Sequence, residues 1–115
     1  METAGTLPAL IDSNQKDEIT DLTLTGNLNG TDILFIREMA GSDVNDYQTS
    51  GMLANLDLAG VNIVSEGAAY LNTDYIYSND TISGSMFEYC YKLKSIILPN
   101  NVTLIGGRAF SIVAA

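Results

Sequence analysis

Apolar residues recur along this chain at a short, strict spacing. Ile19, Leu22 and Leu24 are followed by Leu53, Leu56 and Leu58, and later by Leu93, Ile96 and Leu98. Each set reads apolar-x-x-apolar-x-apolar, and the sets start 34 and then 40 residues apart. Within a set, alternate side chains face one way, as in a half-buried strand. The first set alternates most cleanly, with Leu22 and Leu24 on one face and Asp21, Thr23 and Thr25 on the other. Strands are therefore predicted over 19–25, 53–58, 94–98 and 102–104, with Val61 to Val64 beginning a return. A second echo lies late in the chain. Ile82, Gly84 and Phe87 recur as Ile105, Gly107 and Phe110, each 23 residues on. Three matches in register within six residues mark a repeat whose period is irregular.

The polar segments between these sets carry helix and turn signals. Thr6 can cap a short helix with Pro8 in its first turn, placing Leu7, Leu10 and Ile11 on one face. Asn29 or Thr31 can cap a second, with Asp32 in the first turn. Its Ile33, Ile36 and Ala40 keep helical spacing, Arg37 falls in the last turn and Gly41 is a stop. These two helices are expected to cover the first edge and the end of the strand array. Residues 85–89 should form one helical turn capped by Ser85. Pro99-Asn100-Asn101 should turn the chain, and Gly106-Gly107 should bend it. Successive passes with a common spacing predict parallel pairing. The fold class expected is α+β: a leucine-rich-repeat solenoid of short parallel strands, with an N-terminal helical cap and a truncated array.

Leu93-Lys-Ser-Ile-Ile-Leu-Pro-Asn-Asn-Val-Thr-Leu-Ile-Gly-Gly-Arg-Ala-Phe110 resembles the BspA-like leucine-rich repeat, a type common in surface proteins of gut and oral Bacteroidales. Met86-Phe-Glu-Tyr-Cys-Tyr-Lys-Leu93 looks like the junction between two such repeats. Gly5-Thr-Leu-Pro-Ala-Leu-Ile11 and Leu28-Asn-Gly-Thr-Asp-Ile-Leu-Phe-Ile-Arg-Glu-Met39 resemble the cap that often precedes them. The resemblance covers most of the chain. It departs where Val113 stands one period after Cys90, and the array is expected to be cut short there. The resemblance implies export, and so a secreted or cell-surface location with a leader already removed. It also implies adhesion to host or bacterial proteins, or to glycans.

Composition changes this picture in two ways. The apolar fraction of 46% and charged fraction of 17% fit one folded domain over residues 1–115. Within it, 1–52 would hold the cap and first strand, and 53–115 the irregular repeats. The net charge of −9 is concentrated early, with nine acids and two bases in residues 1–50. Such a chain repels phosphate backbones and anionic lipid, so neither nucleic acid nor membrane insertion is expected. No apolar run approaches the roughly 20 residues of a membrane-spanning helix.

Catalytic parts are scarce. The chain has no histidine and one cysteine, Cys90, flanked by Phe87 and Leu93 and read as core packing. No nucleophile elbow or phosphate-cradling loop occurs. Asp43-Val-Asn-Asp46 starts like a calcium loop, but Gln48 and Ala54 occupy the glycine and terminal glutamate positions, so no metal is expected. No cofactor and no enzymatic activity are expected. Tyr70, Tyr75 and Tyr77 fall where the repeat pattern lapses. They could form a recognition surface, or lie as rings over the apolar side of adjacent passes. Three function classes remain: a binding or adhesion module, a structural spacer, and, lowest, a carbohydrate-active fragment. At the C-terminus, Ile96, Leu98, Ile105 and Phe110 should border an apolar end that pairs with a second copy, giving a homodimer.

Overall fold

The alternation of Leu22, Leu24 and Leu28 against polar neighbours builds the first strand of a three-stranded parallel sheet. The computed structural model describes residues 3–45, 47–65, 67–70, 76, 78–107 and 109–110, without the Ser13 side chain. Two short helices, α1 (Leu7–Leu10) and α2 (Ser13–Lys16), precede β1 (Asp21–Leu28). A ten-residue helix, α3 (Gly30–Met39), then crosses to β2 (Asn55–Ile63). Three shorter strands follow: β3 (Thr81–Ile82), β4 (Ser95–Ile97) and β5 (Leu104–Ile105). The architecture is a small α+β domain whose short strands all pair in parallel, in the orders β1-β2-β4 and β3-β5.

The register follows the spacing in the sequence. Leu22, Leu56 and Ile96 form one row, and Thr81 and Ile82 pair with Leu104 and Ile105. The inward rows deliver Leu24, Leu28, Leu56, Leu58, Val61 and Ile63 to a core shared with Ile33, Ile36 and Met39 of α3. Residues 83–90 lie against the same core as a chain of tight turns that buries Met86, Phe87 and Cys90. The two echoed segments lie side by side: Ser85 N–H donates to Gly107 O (3.0 Å) and Phe87 N–H to Ala109 O (2.8 Å). The Phe87 and Phe110 rings stack with centroids 5.8 Å apart.

Several elements depart from the sequence expectation. Residues 61–63 continue β2 instead of turning back, because a bulge between Asp57 and Gly60 shifts the register against β1. One extra residue keeps both Leu58 and Val61 inward, and the Asp57 carboxylate accepts the Ala59 N–H (3.0 Å). The last strand lies at 104–105, in the second sheet. Ser85 caps no helix; its φ of +61° places it in a left-handed turn. The helix expected after Asn29, α3, is the crossover between β1 and β2, with its apolar side in the core, and α1 packs against it.

The start of α3 is secured as the sequence suggests. Asn29 Oδ1 accepts the Thr31 and Asp32 N–H groups, and Asp32 reaches back to the Asn29 N–H (3.0 Å), a capping box. The same carboxylate also accepts from Gly5 N–H (2.6 Å) and Leu7 N–H (2.9 Å), tying α1 to α3. Arg37 falls in the last turn, as the spacing predicts. It is fully buried, and its Nη1 donates to the carbonyls of Ser85, Met86 and Glu88. Its Nη2 donates to Ser42 Oγ and Asp43 O. One guanidinium thus joins α3 to the 83–90 turns and to the following loop.

Candidate interaction surface

Because each strand alternates, the parallel register that buries the leucines also lines up the opposite side chains in rows. The first outward row is Asp21, Asn55 and Ser95. The Asn55 amide donates to the Asp21 carboxylate (2.5 Å), and its Oδ1 accepts from Ser95 Oγ (2.8 Å). Both ends of the amide are therefore oriented by neighbours. The second row is Thr23, Asp57 and Ile97, and these two rows line a shallow depression of about 110 Å³. At the far end Asn27 pairs in register with Asn62, whose Oδ1 accepts from Asn101 Nδ2 (3.0 Å). Between them Thr25 packs against the bare backbone of Gly60. The result is a flat face of short amide, hydroxyl and carboxylate groups, spaced at about 4.8 Å from strand to strand.

The sequence-derived candidates are distributed differently. Tyr70 is a core residue: it is fully buried, and its hydroxyl donates to Gly84 O (2.5 Å). It offers no surface to a ligand, and the packing alternative holds for it. Tyr75 and Tyr77 lie outside the described residues. Among the described residues, the exposed aromatics are Tyr47 (70%) and Tyr91 (42%). Tyr91 follows the buried Cys90 directly, and its outward position comes from the turn geometry around Tyr89, whose φ is +60°.

At the C-terminal side, Ile96, Leu98 and Phe110 are half-buried against the core, whereas Ile105 is 49% exposed. Its exposed companions are Ile97 and Leu104. Ile97 shares the outward row of Thr23 and Asp57, so strand alternation carries the signal that it faces out. Cys90, the one cysteine of the chain, is buried. Asp43 Oδ1 accepts the Asn45 and Tyr47 N–H groups, an Asx turn. Among the described residues, no cluster of three His, Cys, Asp or Glu side chains could hold a metal. No described helix is long and apolar enough to cross a membrane. Comparison with protein families, characterised proteins and solved structures returns no match.

Proposed function

We propose that the chain is a non-enzymatic interaction module. In this reading it is a segment of a leucine-rich solenoid, displayed at a cell surface, that binds an extended host or bacterial protein or glycan across β1-β2-β4. The observation that carries the reading is the registered outward face. Asn55 is held between Asp21 and Ser95, and Asn62 is bonded to Asn101, so donors and acceptors are fixed before a partner arrives. Preset polar groups on a regular sheet lower the ordering cost of binding. Parallel strands with a common motif spacing, and the neighbouring Phe87 and Phe110, support the solenoid reading.

The test is an array of extracellular-matrix proteins and of host and bacterial glycans. Binding should fall in Thr23→Lys and Asn55→Lys, both exposed positions, with the melting temperature unchanged. A spacer with no ligand of its own is the competing reading, and a blank array would favour it.

Self-association is the second part of the proposal. β4 and β5 are the outermost strands of their sheets, they carry no charged side chain, and they expose Ile97, Leu104 and Ile105. Uncharged, apolar strand edges invite another strand, and a second copy supplies an identical one about a two-fold axis.

A further inference from the structure

A larger cavity, about 380 Å³, lies at the other end of the sheet from the asparagine row. That volume falls within the roughly 300–1,000 Å³ of small-ligand sites. Its floor is the row just before the strands: Thr20, Ala54 and Lys94. This row is tied by Ala54 N–H to Thr20 O (2.8 Å) and Lys94 N–H to Ala54 O (2.7 Å). The small Ala54 between two longer side chains leaves the dent. Met52, Tyr91 and Lys92 line the rest. The Lys92 N–H donates to Ala40 O (3.0 Å), and Tyr91 leans on Tyr89 with centroids 6.0 Å apart, so both rim residues are held.

The charges decide the ligand class. The chain has 14 acids and five bases, an excess of acid that could pair every base. Among the described residues, Lys16 pairs with Glu38, and Arg37 is consumed by backbone carbonyls inside the molecule. Lys92 and Lys94 make no ion pair with a described residue, yet both line this one cavity. Two ammonium groups lining one cavity favour a carboxylate. The exposed Tyr91 ring and Met52 favour a ligand that also has an apolar face, and the Thr20 hydroxyl, which donates to Asp21 Oδ2 (3.5 Å), keeps an acceptor lone pair for a ligand hydroxyl. One carboxylate, Asp21, stands beside the cavity with its Oδ2 3.5 Å from Thr20 Oγ1, against two lysines, and charge beyond about 8 Å is screened at physiological salt.

We infer that this cavity binds a carboxylated sugar unit, a hexuronic acid residue, with the carboxylate on Lys92 and Lys94 and a sugar face on Tyr91. The inference stands apart from the sheet-face proposal, since it uses none of the same residues. The experiment is an amide-resolved NMR titration of the full chain with tri-galacturonic acid, galactose and acetate as probes. Tri-galacturonic acid should shift the amides of residues 91–94, and galactose should not. The Lys92→Gln/Lys94→Gln double variant should weaken binding about tenfold or more, as expected when charge-assisted bonds are lost. Tyr91→Ala should also weaken it, and Asn55→Lys should leave it unchanged. Absent shifts, equal shifts with galactose, or full affinity in the lysine variant would overturn the inference. Acetate binding as tightly as the acidic sugar would overturn it too, marking a bare anion site.

Discussion

At the scale of single residues, Arg37 and Phe87 hold the interior together by different means. Arg37 satisfies the carbonyls of Ser85, Met86 and Glu88, which sit in tight turns without strand partners of their own. Removing the guanidinium strips charge-assisted bonds from the Met86 and Glu88 carbonyls, at about 1–3 kcal/mol each, while Ser85 O keeps the Glu88 N–H (3.1 Å). Arg37→Met should therefore lower the urea midpoint by more than any exposed substitution. Arg37→Lys should recover little, because one ammonium cannot span both the 85–88 carbonyls and Ser42. Equal midpoints for Arg37→Met and wild type would refute this role. Phe87→Ala should cost about 3–5 kcal/mol. Phe110→Ala should cost less, since that ring is half-buried and packs chiefly on Phe87. If Phe110→Ala proves the more damaging in the same denaturant series, the assignment of their environments is wrong. The buried Arg37 was partly legible: it lies four residues after Ile33, on the helical face that the core uses. The packing of Tyr70 was one of two readings open in the sequence; its hydroxyl partner was not legible, because it is a backbone carbonyl that no side-chain pattern announces.

At the scale of elements, the parallel pairing was written in the apolar spacing. A row that buries Leu22, Leu56 and Ile96 fixes the offset between strands, since a slip of one residue would turn all three outward. The bulge in β2 was not visible, because Leu58 and Val61 break alternation in the way a strand end also does. Close approaches between elements were hidden for a similar reason: they depend on glycines whose neighbours are distant in sequence. A Cβ on Gly51 would stand 2.1 Å from Met39 O, at the end of α3. One on Gly106 would stand 2.4 Å from Gly84 N, where the two echoed segments touch. Gly51→Ala and Gly106→Ala should each cost about 1–3 kcal/mol through forced separation. Gly107→Ala, which meets nothing within 4 Å, is the control and should fold at the wild-type temperature. A calorimetric scan in which all three melt together would show that the contacts are looser than described.

At the scale of the whole molecule, most acids lie early in the chain and the exposed strand aliphatics late. Nine of the 14 acids precede residue 51, whereas Ile97, Leu104 and Ile105 are exposed on late, uncharged strands. Self-association through that side should therefore weaken little at low salt, where repulsion is strongest. Size exclusion with light scattering should give a dimer mass, and Ile97→Lys with Ile105→Lys should return it to a monomer. A monomer in wild type at high concentration, in low and high salt alike, would remove the self-association proposal.

The order of strands in the sheets also bears on how the chain reaches its fold. In both sheets, β1-β2-β4 and β3-β5, spatial order is chain order. No late strand has to be wedged between two earlier ones, so the sheets can grow by addition at one side as the polypeptide emerges from the ribosome. Every pairing nonetheless closes a long stretch of chain, which makes nucleation slow and each later addition comparatively quick. Pulse-labelled hydrogen exchange during refolding should protect the amides shared by β1 and β2 before those linking β2 to β4. Protection of both sets at one rate would instead describe a single concerted closure.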